Sequence, residues 1–217
     1  MNDLRQQLHA AARRLPSPDP AAAVERLAAA AAAAGLVDVA VGWLQTPVGP
    51  VLGAVTGRGL VALRYLGTAE PSLLAELAHR VSPRVLWRPQ ALAEVAGELE
   101  GYFDGRRRAF TLTLDRRLVR GFQAAVLAAT EAIPYGTVRT YQEVAAAAGR
   151  PRASRAAGNA LGANPLPIVI PCHRVVRTGG GLGGYAGGLE RKTRLLAVEG
   201  WGPRWPAPAP AQAPAST

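Results

Sequence analysis

The sequence predicts an α/β N-terminal domain, a small antiparallel sheet with helices, followed by a mostly α C-terminal domain with a winged helix-turn-helix-like fold. Three observations carry this. The stretch "VDVAVGWLQTPVGPVLGAVTGRGLVALRYLG" consists of short β-rich runs broken by Pro-Val-Gly and Gly-Arg-Gly turns. From Gly121 the apolar residues recur at helical spacing instead. Finally, "TYQEVAAAAGRPRASRAAGNALGANP" holds two short helical segments around a glycine turn. With 217 residues, the chain is long enough to bury a core of this size.

The elements follow in order. Residues 1–38 hold two Ala-rich helical segments, 3–15 and 20–34, split by "PSPDP"; their weak apolar faces mark an appended arm. Residues 39–117 form the α/β domain, with a meander or hairpin pair, helices at 70–81 and 89–103, and a closing strand at 109–114. Leu92, Val95, Leu99 and Phe103 give the second helix its apolar stripe. Residues 118–201 form the C-terminal domain, opening on a helix whose inner face is Phe122, Val126, Ala129 and Ile133 and which stops at Pro134 and Gly136. Beyond, 202–217 is a Pro/Ala tail with too little apolar surface to order itself.

In the helix pair, Thr140 and Glu143 have capping-box spacing. Gly149 suits the left-handed cap of the first helix, and Pro151 the first position of a second helix over 151–161. The second helix is built from Ala, Gly and Ser with Arg152 and Arg155, so its backbone can lie close to a partner. Close packing on a neighbouring helix explains the small residues equally well. The charge bears on this choice: the net formal charge is +10, and Lys192 is the only lysine. Between Pro134 and Gly200, only Glu143, Glu190 and Glu199 oppose a long set of arginines. A basic helix-turn-helix points toward DNA.

No run approaches the roughly 18 apolar residues of a membrane span, which argues against a membrane partner. The N-terminus lacks the pattern of a secretory signal, and a lone cysteine fits a reducing compartment, so the expected location is cytoplasmic. No Cys/His cluster suggests a metal.

That lone cysteine lies in "PIVIPCHRVV", after an apolar strand at 168–170 and a proline-marked turn. Next to it, His173, Arg174 and Arg177 are expected to lower the thiol pKa below the free value of about 8.5. Glu199, on a closing helix marked by Leu189, Leu195, Leu196 and Val198, can orient His173. Adjacent residues of an extended strand point apart, so His173 reaches the thiol only through a bend or a water. On the residues alone, Cys172 is either an activated nucleophile beside a DNA-reading helix or a buried small hydrophobe. A DNA-binding regulator and, more distantly, a cysteine hydrolase remain rival classes.

The segments "IPYGTVRTYQEVA", "GNALGANPLPIVIPCHRVV" and "GGYAGGLERKTRLLAVEG" closely resemble the C-terminal domain of the O6-alkylguanine-DNA alkyltransferases. "TPVGPVLGAVTGRGLVALRYLG" and "LEGYFDGRRRAFTLTLD" look, more loosely, like the family's N-terminal domain. The resemblance implies a monomeric, cofactor-free protein that flips damaged bases out of double-stranded DNA. By the same resemblance it would move the alkyl group of O6-alkylguanine, and of O4-alkylthymine, irreversibly onto Cys172, once per molecule. It further implies a chain from Glu199 through His173 and a water to the thiol, Tyr141 as proton donor to the leaving guanine, and Asn164 as the hinge of the active-site strand. Arg155 would be the finger that fills the space of the flipped nucleotide, with Gln142, Arg150 and Thr178 on the DNA backbone. Pro167, Val175, Tyr185, Ala186 and Gly187 would line the base pocket. Two positions depart from the pattern of some members: Ala186 replaces a serine and Gly162 a basic residue.

Overall fold

Alternation along the first β-rich runs decides how the sheet is covered. The computed structural model describes residues 20–65, 67 and 70–201, and they fall into two compact units that part between Val37 and Asp38. In the first unit, α1 (Pro20–Ala33) begins with the preset backbone of a proline. It ends in a Schellman-type cap, with Gly35 at φ 67° and the Leu36 amide donating to the Ala31 carbonyl at 2.9 Å. The expected helix at 3–15, His9 and the tail at 202–217 lie outside the described residues.

The second unit opens with β1 (Val39–Leu44), β2 (Val51–Thr56) and β3 (Gly59–Tyr65), an antiparallel meander as expected. After it, α2 (Glu70–Arg80) carries the chain across the sheet to β4 (Val85–Trp87), which pairs parallel to β1, in the order β3-β2-β1-β4. The sheet is therefore mixed rather than antiparallel, because a helical crossover delivers β4 in the direction of β1. One face buries Val39, Val41, Leu52 and Val61 against Leu73 and Leu77 of α2. The other buries Val51, Leu60, Leu63 and Tyr65 against Leu92, Val95, Leu99 and Tyr102. These last belong to a helical turn, Pro89–Leu92, and to α3 (Ala93–Phe103). The turn lies directly on the sheet: a Cβ at Gly42 would come within 2.6 Å of Pro89 Cα.

The expected strand at 109–114 is not formed; only an isolated bridge, Leu60 to Leu114, joins it to the sheet. One of its amides is claimed elsewhere. The buried Glu98 carboxylate accepts the Thr111 amide at 2.9 Å as well as the Thr111 hydroxyl, which prevents a regular ladder.

Helices α4 (Gly121–Glu131), α5 (Tyr141–Ala147), α6 (Ser154–Gly162) and α7 (Leu189–Val198) follow, with a short parallel pair between β5 (Arg139–Thr140) and β6 (Val175–Val176). The larger core runs without a break from Leu99 and Tyr102 through Val126, Leu127, Val144, Ala157, Ile168, Ile170 and Leu195. Three expectations are corrected here. Helix α6 starts at Ser154 rather than Pro151, because Pro151 is used in a turn closed by the Ala153 amide on the Arg150 carbonyl at 2.9 Å. Residues 168–170 form a turn and not a strand. Leu189 is 52 % exposed, and Lys192, not Leu189, is buried from the first turns of α7. No described helix is long and apolar enough to cross a membrane.

Candidate active site

The cysteine loop is held by one side-chain amide. Asn164 Nδ2 donates to the Ile170 carbonyl at 2.9 Å and to Cys172 Sγ at 3.2 Å, while its Oδ1 accepts the Leu166 amide at 3.0 Å. Between these bonds Ile168 takes a positive φ of 74°, a conformation a β-branched residue adopts only when its surroundings impose it. The loop is also pinned to β3: the Leu63 amide donates to the Pro165 carbonyl at 2.7 Å, and Arg64 Nη1 to the Asn164 carbonyl at 3.2 Å.

The turn so formed presents Cys172–Arg174 as a short 3₁₀ segment, with all three residues buried. Burial pushes the Cys172 thiol above its ordinary range, against the opposing influence of the Asn164 hydrogen bond and the Lys192 charge. The expected lowering by Arg174 and Arg177 is thus overturned. Arg177 is exposed, and the Arg174 guanidinium is turned to Glu199, with Nε on Oε2 at 2.8 Å and Nη2 on Oε1 at 2.9 Å.

Glu199 collects further donors: the Tyr102 hydroxyl on Oε1 at 2.7 Å, the Gly136 amide on Oε2 at 3.0 Å and His173 Nε2 on Oε1 at 2.8 Å. Burial alone would raise its pKa, but the hydrogen bonds from His173 and Arg174 outweigh it and hold the carboxyl at about 2. His173 is fully buried, and loss of solvent pulls its pKa down in spite of Glu199. An ionised carboxylate only accepts, so the neutral imidazole carries its hydrogen on Nε2 and its lone pair on Nδ1. Nδ1 is buried with no hydrogen-bond partner among the described residues.

The protein's only lysine is buried beside this group. Lys192 Nζ donates to the Val175 carbonyl at 2.5 Å, to the Leu182 carbonyl and to the Gly184 carbonyl at 3.4 Å, and lies 5.9 Å from the Tyr141 ring centroid. Burial pulls its pKa down to about 8. Tyr141 is the first residue of α5, set by the complete capping box of Thr140 and Glu143. Its hydroxyl donates to the same Gly184 carbonyl at 3.2 Å.

Cys172, Tyr141, Arg155, Tyr185 and Ala186 line one cavity of about 600 Å³, which Gly158 and Gly162 of α6 also border. Arg155 is exposed on α6. Other expected site residues lie apart from this lining. Gln142, Arg150 and Thr178 are on the exposed surface, with the Arg150 guanidinium 4.9 Å from the Phe122 ring centroid. Val175 is buried in the core and offers its carbonyl to Lys192, and Pro167 lines an adjoining cavity together with Ala186. Gly187 packs its backbone between two tyrosines: a Cβ there would come within 2.5 Å of the Tyr65 ring and 2.9 Å of the Tyr185 ring. The two hydroxyls are 2.7 Å apart.

Tyr102 and Lys192 were not anticipated from sequence, nor was the Arg174 clamp on Glu199. Tyr102 does follow Leu99 by three residues on the apolar stripe of α3, and a single lysine among so many arginines is itself a signal.

This arrangement can remove a proton from a sequestered thiol and hold an electrophile over the sulfur. It defines a protein with a single, buried cysteine thiol in a cavity lined by Arg155 of α6. Comparison with known proteins makes the class particular. Residues 39–116 match the model of the 6-O-methylguanine DNA methyltransferase ribonuclease-like domain, and residues 121–201 that of the same family's DNA binding domain. A methylated-DNA–protein-cysteine methyltransferase of Mycobacterium leprae is 40% identical over 159 residues, covering 72% of this chain and 89% of the relative. One from Methanosarcina barkeri is 39% identical over 158 residues, covering 72% and 94%. The crystal structure of Mycobacterium tuberculosis OGT in complex with DNA aligns with TM-score 0.65 and 39% identity, over 74% of this chain and 93% of that one. The chain belongs to the methylated-DNA–protein-cysteine methyltransferase family.

Proposed function

We propose that this protein repairs alkylated DNA by direct reversal, transferring the alkyl group of O6-alkylguanine, and of O4-alkylthymine, to its own Cys172. The observation that carries the reading is the placement of the buried Cys172 thiol in a cavity also lined by Arg155 of α6, with a neutral histidine base next in sequence. A base inside a duplex cannot reach such a thiol, so the damaged nucleotide is flipped out, at a cost of a few kcal/mol. Arg155 takes its place in the stack, and Gln142, Arg150 and Thr178 hold the backbone. Residues 118–201 thus carry the chemistry and the DNA contacts. Residues 39–117 supply Tyr102 and the β3 bonds that brace the cysteine loop, 1–38 is an appended arm and 202–217 a tail.

In the reaction, the thiol proton passes through a water to His173 Nδ1, and Glu199 stabilises the imidazolium. The sulfur attacks the alkyl carbon; the S–C bond forms as the C–O6 bond breaks and its electron pair stays with guanine. Tyr141 donates a proton to the departing base and is reprotonated from the imidazolium through solvent. Burial raises the Tyr141 pKa, which disfavours a lasting phenolate and returns the proton. Asn164 stays bonded to the sulfur and keeps the loop in register. A thioether has no good leaving group, so each molecule reacts once, as a cytoplasmic monomer needing neither metal nor cofactor.

The test is mass spectrometry of peptides after mixing with a duplex carrying one O6-methylguanine. The expected result is one methyl per protein on the peptide containing Cys172, and none in Cys172→Ser. Binding without methylation would overturn the reading in favour of a DNA-binding regulator.

A further inference from the structure

Two cavities meet at the small residues Gly162 and Ala186, each of which lines both. The first holds Cys172. The second, about 330 Å³, also borders Asn164 and Pro167 and does not include Cys172 in its lining. Its wall is not wholly apolar: Arg64, Glu76, Arg80 and Gln123 line it together with Leu63, Tyr65 and Leu118. Glu76 is shared by two guanidiniums, with Arg80 Nη1 at 2.7 Å and Arg64 Nη2 at 3.3 Å. One carboxylate against two arginines leaves the wall with a net positive charge. Gln123 adds an amide whose Nε2 is committed to the Ala163 carbonyl at 2.9 Å.

We infer that the second compartment receives the far end of long O6 substituents, and that it selects chains ending in a carboxylate. The inference rests on the alkyl-transfer reading. Methyl and other short groups stay within the first cavity. A chain of four or five carbons passes between Gly162 and Ala186, where neither residue carries a side chain beyond a methyl group, and its terminal anion meets Arg80 and Arg64. Partial exposure of these side chains, 42% for Arg80 and 29% for Arg64, lets a new acceptor approach without first breaking the Glu76 pairs. Transfer itself is unchanged: the S–C bond forms at the carbon next to O6, and the distal carboxylate takes no part in it.

The experiment measures single-turnover transfer from duplexes carrying O6-methylguanine, O6-(4-carboxybutyl)guanine or the corresponding 4-carbamoylbutyl amide. The amide matches the acid in size and lacks its charge. The expected result is that the acid transfers about fivefold faster than the amide. Arg80→Gln should erase this preference, and Glu76→Gln should widen it, with methyl transfer within about twofold of wild type in both. Equal rates for acid and amide in the wild-type protein, or a preference indifferent to both substitutions, would overturn the inference while methyl transfer stands. Loss of methyl transfer in the wild-type protein would instead sink the reading on which it rests.

Discussion

His173 Nε2 and Glu199 Oε1 lie 2.8 Å apart with both side chains sealed from solvent. Because Glu199, with a pKa held down to about 2, is ionised, this single contact fixes which ring nitrogen carries the hydrogen and which the lone pair. Glu199→Gln keeps the shape but lets an amide hydrogen face the ring or Arg174. Transfer should slow by about 10²-fold or more, as when a histidine loses its orienting carboxylate. Stability should drop by about 3 kcal/mol or more, since Arg174 is left buried without its counter-charge.

Acid titration reads the same pair. Glu199 titrates at about 2 in the folded protein against its ordinary 4.5, so its contribution is full above pH 4.5 and is lost as pH falls toward 2. The shift corresponds to about 3 kcal/mol. His173 acts at higher pH with the same sign: its folded pKa lies below 6.5, so the unfolded chain binds a proton that the folded one refuses as pH drops through that value. Urea denaturation across pH should therefore show two stages of loss, and Glu199→Gln should shrink the lower one to what Asp38 and Asp115, whose carboxyls are also held low by their arginines, contribute. A single stage in both proteins would contradict the assignment.

The backbone was legible wherever a residue's local role and its tertiary role agreed. The capping box at Thr140 and Glu143 reads directly from sequence because both partners are within one turn. The strand expected at 109–114 fails because its alternation is real but its Thr111 amide and hydroxyl answer to Glu98, a partner no local pattern reveals. The strand expected at 168–170 fails for a similar reason, since Asn164 binds the Ile170 carbonyl that a ladder would need. At the site, the Cys172, His173 and Glu199 set was legible from residue chemistry and from resemblance. The sign of the thiol shift was not, because nearness in sequence placed Arg174 beside the sulfur while the fold turns it to Glu199.

Gly183 governs where Tyr141 sits. It has φ 67°, and a Cβ there would come within 2.6 Å of the Tyr141 hydroxyl oxygen. Gly183→Ala must displace either the glycine loop or the Tyr141 ring, the proposed proton donor. Transfer from O6-methylguanine should fall by about tenfold or more, given the cost of misplacing a proton donor. The strained backbone should cost about 1 kcal/mol of stability. Gly184→Ala is the control, because its added Cβ meets nothing within 4 Å. Equal losses in the two variants would show that Tyr141 is not the affected group.

Arg155 is exposed on α6 yet lines the cavity that holds Cys172. If it holds open the space of the flipped nucleotide, its removal matters only for duplex substrates. Arg155→Ala should slow transfer from duplex DNA by about tenfold or more, while transfer from the free base O6-benzylguanine stays near wild type. Equal slowing of both would mean that the side chain shapes the pocket rather than the DNA.

Lys192 and Cys172 set the remaining pH dependence together. The lysine is charged below about pH 8, where its field favours the thiolate, and loses that influence as it gives up its own proton. With one cysteine in the chain, alkylation by iodoacetamide, followed by mass spectrometry, reports on this thiol alone. At pH 7 the folded protein should react more slowly than free cysteine, because burial holds the thiol protonated. Lys192→Met should slow it further, on the order of tenfold, since an opposite charge is removed from the thiolate. That gap should close as the pH rises past about 8, where the wild-type lysine is itself neutral. A gap that persists unchanged at high pH would show that Lys192 acts by holding the Val175 and Gly184 carbonyls in place, not by its charge.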